Sequence, residues 1–272
     1  MACLDIDIGN TRAKWRIVPC GLSAAQQLQQ AAAINVVSTF DGHGDAGVLV
    51  EGLKSAFKNL DQRLLRVRVA SVRSAEFERK LSNGFEQWLG VRPEFVRTQG
   101  QSLAEGISVK NSYTEPKSMG VDRWCAIVAA AVRCSGRPCC VVDAGSAMTI
   151  ECINTMAQHI GGYILPGFET QVKALLAKTD RVDAQDVLEA PFAAGKVTAP
   201  ANNTLGAVRS GVWLNLAGAI RDVCRRMESD ALSLVICGGN GPMLYQILEG
   251  DTGCDIYLSD SLVFDGICYL LP

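Results

Sequence analysis

The sequence predicts an α/β protein built from two copies of one β-β-β-α-β-α-β unit. Three observations predict it. A short apolar strand runs into Asp-x-Gly twice, at Asp7-Ile8-Gly9 and at Asp143-Ala144-Gly145. The two aspartates, at 7 and 143, lie 136 residues apart, half of the 272-residue chain. After each, period-two strand patterns alternate with period-3.6 helical ones in the same order. The expected domains are residues 1–118 and 119–272, with a ligand cleft between them.

In the first copy, residues 3–8 alternate into a Gly9-Asn10 turn, and residues 13–18 return as a second strand. Gly and Asn tolerate the positive φ of such hairpins. Residues 34–40 are rich in β-branched side chains and form a third strand candidate, and Gly42-His43-Gly44-Asp45 reads as loop. Residues 48–60 are helical, because Leu49, Leu53, Phe57 and Leu60 fall on one face. Residues 67–72 form a strand, 75–89 an amphipathic helix through Phe77, Leu81, Phe85, Trp88 and Leu89, and 93–98 a further strand. A loop over 106–120 leads to a central helix over 121–133.

The second copy repeats the order. Residues 139–144 and 148–153 flank the Gly145-Ser146 turn, and 159–165 form a third strand ending in Pro166-Gly167. Helical periodicity follows at 170–178 and, after a loop rich in Pro, Ala and Gly, at 205–227. Residues 232–237 are a strand, 242–248 a helix and 255–258 a last short strand.

Composition bounds the function. Apolar residues are 48% of the chain, enough for a large core, and charged residues are 20%, too few for a disordered chain. Lys plus Arg is 26 against 28 for Asp plus Glu, a formal charge of −2. That balance argues against nucleic acid as a partner, which takes clustered basic charge. The start, MACLDIDIGN, shows no signal peptide, and the apolar run at 126–132 is too short for a bilayer, so no membrane role is expected and a cytoplasmic location is. Eleven cysteines, an odd number lying mostly in apolar runs, read as reduced core residues. With no Cys-x-x-Cys and only His43 and His159, a structural zinc site is not expected.

The motifs carry the chemistry. Each Asp-x-Gly hairpin delivers a carboxylate to the end of a buried strand, beside turn amides and the hydroxyl of Thr11 or Ser146 that suit phosphate. A carboxylate beside phosphate repels it unless a cation lies between, so Asp7 and Asp143 are candidate ligands of Mg²⁺. Gly120-Val121-Asp122-Arg123 opens the central helix. Asp122 there favours the helix dipole, and it is also placed as a base that takes a hydroxyl proton in phosphoryl transfer. Arg123 offers a planar fork to a carboxylate or phosphate, or lies on a solvated helix face. Gly161-Gly162 is read as a close approach at a subunit or ligand contact, or as a tight connection. Gly238 and Gly239, in Cys237-Gly238-Gly239-Asn240-Gly241, are read as a loop against which adenine or ribose lies. Asn202-Asn203-Thr204 caps the long helix through Asn or Thr, and Tyr113 is a loop aromatic placed to line a substrate pocket.

Together these residues resemble a known family. The paired hairpins and duplicated unit look like the actin, Hsp70 and sugar-kinase superfamily, with ribonuclease H-like, actin-like ATPase domains. Within it, DIGNT, GVDR, DAGSA, GGYILPG and NNT resemble type III pantothenate kinase, in order from residue 5 to about residue 240. The resemblance implies ATP-dependent phosphorylation of pantothenate to 4'-phosphopantothenate, the first step of coenzyme A biosynthesis. It implies that Asp7, Ile8, Gly9, Asn10, Thr11, Arg12, Ala13 and Lys14 form the first phosphate hairpin, and that Ser146 contacts ATP phosphates. Tyr113, Gly120, Val121, Asp122, Arg123 and Thr204 would contact pantothenate, with Asp122 as general base, and Asp143 would serve the cation site. It further implies Mg²⁺ or a similar divalent ion, a monovalent cation such as K⁺ or NH₄⁺, and a homodimer with sites near the subunit interface. Ser146 stands where the family usually has Thr, which keeps the hydroxyl and loses a packing methyl. Lys14-Trp15-Arg16 resembles one branch of the family. The rivals are a sugar kinase or exopolyphosphatase of the same superfamily, and a regulatory accessory protein.

Overall fold

The structure is a computed structural model that describes residues 2–31, 35–39, 45–58, 64–177, 183–189 and 197–272. The first sheet comes from β1 (Ala2–Ile8), β2 (Arg12–Pro19), β3 (Asn35–Thr39), β4 (Leu64–Ser71) and β5 (Glu94–Phe95), in the order β3-β2-β1-β4-β5. β1 and β2 form an antiparallel hairpin, and β1 runs parallel to β4. The residue alternation of β1 divides its two faces. Leu4, Ile6 and Ile8 join a core with Leu49 and Leu53 of α2 (Ala46–Ala56) and Leu81 and Phe85 of α3 (Ala75–Leu89). Asp5 and Asp7 fall on the opposite face. α3 starts where the Ser74 hydroxyl accepts from Phe77 N and stops at Gly90, which takes φ +67°.

The second sheet comes from β8 (Cys139–Ala144), β9 (Ala147–Ile153), β10 (His159–Pro166), β11 (Ser233–Cys237) and β12 (Asp255–Leu258), in the order β10-β9-β8-β11-β12. This matches the first sheet strand for strand, so the duplication holds at the level of topology. Its core joins Val142 and Ile150 to Val172 of α5 (Phe168–Leu176), Leu216 and Ile220 of α7 (Thr204–Arg226), and Leu244 of α8 (Gly241–Leu248).

The chain forms two compact units, residues 1–133 with 261–272, and residues 134–260. The expected division at 118/119 differs from this. α4 (Val121–Arg133) buries Trp124, Ile127 and Val128 in the first unit, and α9 (Leu262–Leu270) returns to pack on it. A β-carbon on Gly266 would stand 2.5 Å from Cys125 Cα, so only glycine lets α9 approach α4 this closely.

Among the described residues, three α-helices and a two-stranded hairpin lie where none was expected. They are α1 (Ala24–Gln29), α6 (Ala184–Glu189), α9, and the hairpin β6 (Gln101–Ala104) to β7 (Ile107–Lys110), whose second strand lies in the expected loop over 106–120. That hairpin turns on Glu105 (φ +48°) and Gly106 (φ +79°), a pair of positive φ values suited to a tight turn. The strand expected over 93–98 shortens to Glu94–Phe95. The expected loop at His43 and the ends of expected elements at residues 34, 40, 60 and 178 lie outside the described residues, as does most of the loop rich in Pro, Ala and Gly.

The reduced-cysteine reading needs correction at one pair. Cys3 and Cys20 form a disulfide with their Cα atoms 5.5 Å apart, because the β1–β2 hairpin brings its open ends together. The other nine cysteines are free, and eight of them are buried. Among the described residues, no helix is long and apolar enough to cross a membrane.

Candidate active site

The first hairpin closes where Gly9 N–H donates to Arg12 O at 2.9 Å. Asp7 lies half-buried at the end of β1, and Lys14 is its cross-strand partner. Asn10, Thr11 and Arg12 are exposed at the tip. The parallel neighbour β4 ends beside this turn, since Val72 N–H donates to Ile8 O at 3.1 Å. One residue later the Arg73 Nη1 reaches Asn10 O at 3.4 Å.

The head of α4 supplies the second element of the site. Asp122 Oδ1 accepts from Arg123 N at 2.8 Å, so the capping role read from the sequence holds. A β-carbon on Gly120 would stand 2.6 Å from that same oxygen, which explains glycine at this position. Arg123 is not on a solvated face. Its Nη1 donates to the Tyr113 hydroxyl at 3.0 Å, and its guanidinium lies 5.5 Å from the Tyr113 ring centroid. Asn111 Oδ1 in turn accepts from Tyr113 N at 2.9 Å, which fixes the loop that carries the ring.

Burial pushes the Cys125 thiol far above its usual range, and the nearby carboxylates of Asp7, Asp122 and Asp5 push it further. Beside Gly120 and Val121 opens a groove of about 570 Å³, to which Arg73, Arg97 and Lys117 contribute basic side chains. Arg97 is held by a double hydrogen bond to the Glu78 carboxylate, at 2.8 and 2.5 Å. Thr98 Oγ1 donates to Met119 O at 3.0 Å and pins the approach to α4.

The second unit carries the other half of the motif set. Gly145 N–H donates to Ala147 O at 3.0 Å, so this hairpin is one residue tighter than the first. Its tip is anchored at Ser146 O, which accepts from Gly167 N at 2.9 Å and from Thr170 Oγ1 at 2.7 Å. Gly238, at φ +88°, lies against the same hairpin. A β-carbon there would stand 2.5 Å from Asp143 Oδ1 and 2.6 Å from Ala144 N. Asn240 N–H donates to Ala144 O at 2.9 Å and locks the glycine loop onto the strand end. Gly238 thus has a packing reason for being glycine, while Gly239 is exposed.

Of the sequence-derived candidates, Asp143, Ser146 and Gly238 come together in this unit. Thr204 opens α7 as its first residue, behind the Asn203 cap whose side chain accepts from Gly206 N at 2.8 Å. The Gly161-Gly162 pair serves the sheet. A β-carbon on Gly162 would stand 2.6 Å from Ile150 O and run into the Glu151 carboxylate.

Among the described residues, no group of three or more His, Cys, Asp or Glu could hold a metal alone. Single carboxylates such as Asp7 and Asp143 fit Mg²⁺, which takes one or two protein carboxylates and completes its shell with phosphate oxygens and water. Arg73 and Cys125 were not singled out by sequence reasoning. The signal for Arg73 was available, since it follows directly on a strand parallel to β1.

Residues 3–226 match the family model described as type III pantothenate kinase. A type III pantothenate kinase of Acinetobacter baumannii (strain ATCC 17978) is 30% identical over 92% of this chain and 90% of its own length. One of Methylibium petroleiphilum is 30% identical over 98% and 97%. Among solved structures, a conserved putative Baf family transcriptional activator from Campylobacter jejuni superposes with a TM-score of 0.56 at 20% identity, over 98% of this chain and 96% of that one. A putative 2-dehydro-3-deoxygalactonokinase from Sinorhizobium meliloti superposes at 0.58 with 14% identity, over 97% and 96%. These likenesses place the duplicated units in the actin-like ATPase and sugar-kinase fold, and the sequence matches show that the chain belongs to the type III pantothenate kinase family.

Proposed function

We propose that this chain transfers the γ-phosphoryl group of ATP to the primary hydroxyl of pantothenate, giving 4'-phosphopantothenate and ADP for coenzyme A biosynthesis. The observation that carries the reading is the head of α4, where Asp122 stands between Gly120 and the Arg123–Tyr113 pair. Asp122 is the general base that accepts the hydroxyl proton as the oxygen attacks phosphorus. The backbone N–H to Asp122 Oδ1 fixes one carboxylate oxygen, so little reorganisation is required when the proton arrives. Tyr113 and Arg123 orient the acceptor together with Gly120, Val121 and Thr204, the guanidinium offering its fork to the pantothenate carboxylate.

Residues Asp7 to Lys14 and Ser146 hold the ATP phosphates, and the loop at Gly238 and Gly239 takes the nucleoside. Asp7 and Asp143 hold a divalent cation, Mg²⁺ or a similar ion, which neutralises phosphate charge when bound; K⁺ or NH₄⁺ serves as a monovalent partner. The chain works as a cytoplasmic homodimer. In support, the edge strand β10 leaves Ile160 (54%), Tyr163 (50%) and Ile164 (62%) exposed, an apolar edge of the kind that subunits cover.

The test is phosphopantothenate formation from pantothenate, ATP and Mg²⁺, with and without K⁺, read by mass spectrometry. Asp122→Asn is expected to cut kcat by about 10²–10⁴-fold while the pantothenate KM moves only a few-fold. A variant with near-normal turnover removes the base assignment. Light scattering on the eluting protein is expected to give twice the chain mass of 29.1 kDa, and a single-chain mass rejects the dimer.

A further inference from the structure

Arg73 belongs to none of the motifs assigned above, yet it touches one of them. It leaves the sheet directly after β4, whose last residue pairs with Ile8 at the start of the first phosphate turn. Its Nη1 lies 3.4 Å from Asn10 O at the tip of that turn. Its guanidinium lies 5.1 Å from the centroid of the Phe77 ring, a buried aromatic that holds the plane of the fork. The same side chain lines the 570 Å³ groove that runs to Gly120 and Val121.

The charge of the surroundings gives this position meaning. Asp7 lies at the end of the strand that enters this turn, and a polyphosphate adds further negative charge. Arg16 and Arg68 lie buried against Asp5, Arg97 is held by Glu78, and Arg123 bonds Tyr113. A guanidinium carries five N–H donors in a fixed fork, so one bond to Asn10 O is compatible with others to phosphate oxygens. An arginine that meets the transferring group late in a phosphoryl transfer lowers the barrier by about 10³–10⁵ in rate.

We propose that Arg73 is a further catalytic residue, donating from its guanidinium to the non-bridging oxygens of the phosphoryl group as it passes from ATP to the acceptor. This rests on the kinase reading above. In the step it stabilises, the acceptor oxygen forms a bond to the γ-phosphorus while the bond to the β,γ-bridging oxygen breaks. ADP leaves with that electron pair, and the hydroxyl proton goes to Asp122. Arg73 keeps its own proton throughout and contributes charge and geometry.

The experiment compares Arg73→Ala, Arg73→Lys and Arg92→Ala with the unaltered protein. Steady-state kinetics are measured beside calorimetric binding of ADP and of a non-hydrolysable ATP analogue in Mg²⁺. For Arg73→Ala, kcat is expected to fall about 10²–10³-fold, with ADP affinity within about threefold and the preference for the ATP analogue over ADP lost. Arg73→Lys is expected to recover only part of the rate, because a point charge lacks the fork, and added guanidinium ion is expected to restore part of the Arg73→Ala rate. Arg92→Ala, which removes an exposed cation of the same unit outside the groove, is expected to stay within about threefold.

A kcat for Arg73→Ala within about fivefold of the unaltered protein overturns the proposal. So does a joint loss of ADP and ATP-analogue affinity with a lower Tm, which would make Arg73 a support of the hairpin alone. An equal loss in Arg92→Ala would assign the effect to the general charge of the unit and also overturn it. If the unaltered protein forms no phosphopantothenate, the pantothenate reading fails, while the analogue-over-ADP preference still decides the role of Arg73.

Discussion

Gly238 sits at φ +88° with Asp143 Oδ1 and Ala144 N where its β-carbon would be. A side chain there meets both backbone strain and a carboxylate that cannot retreat without leaving the strand end. Gly238→Ala is expected to destabilise the protein by about 2–4 kcal/mol through left-handed strain plus overpacking. It should also weaken nucleotide binding more than pantothenate binding; a thermal melt beside ADP titration checks both. This residue was legible in the sequence as part of a glycine-rich loop, but the reason read there was room for a flat ring. The packing reason depends on a hairpin 95 residues earlier in the chain. Asp122 was legible for the opposite reason, because a helix start is a local feature and its carboxylate caps its own neighbour. Arg123 was only half legible, since the Tyr113 ring that stacks on it comes from a loop with no periodic pattern.

At the scale of elements, one buried network ties five of them together. Cross-strand register sets Arg16 of β2, Asp5 of β1 and Arg68 of β4 in a row. Arg68 Nε meets Asp5 Oδ1 at 2.7 Å, and Arg16 Nε meets Oδ2 at 3.3 Å. α9 completes the row through Asp265, bonded to Arg16 at 2.9 Å, and through Leu271 O, bonded to Arg68 at 2.7 Å. α1 adds Gln27, whose side-chain oxygen accepts from Arg68 at 2.9 Å. Burial pushes the Cys268 thiol among these groups up to about 11, with Asp5 pushing the same way, so it stays protonated at neutral pH. Asp5→Ala leaves two buried guanidinium groups facing one another and is expected to cost about 3–5 kcal/mol. Chemical denaturation measures it, and a loss under 1 kcal/mol would show that water reaches the site. The short α1 and the β6–β7 hairpin escaped the sequence reading because both are too brief for a period to show. α3, with fifteen residues between a serine cap and a left-handed glycine, was read to its ends because each of its signals is local.

At the scale of the whole molecule, the chain holds two compact units, the first of them closed by the last twelve residues. A chain ending at Asp260 lacks Asp265 and Leu271, which bond Arg16 and Arg68, and uncovers the apolar face of α4. It is expected to lose the cooperative melting of the first unit while residues 134–260 keep theirs. Differential scanning calorimetry with proteolysis checks this, and a single unchanged transition would reject it. The duplicated strand order, the paired Asp-x-Gly turns, the central helix and the family resemblance were determined by the sequence by itself. Each rests on periodicity, turn chemistry or short motifs, which act over a few residues. The tertiary structure alone decided that α4 and α9 belong with the first unit, that Cys3 meets Cys20, and that Arg73 reaches the first Asp-x-Gly hairpin. Those outcomes depend on strand register and on pairs as far apart as Arg16 and Asp265, 249 residues along the chain. No local pattern encodes such a pair, because its energy exists only once the sheet has formed.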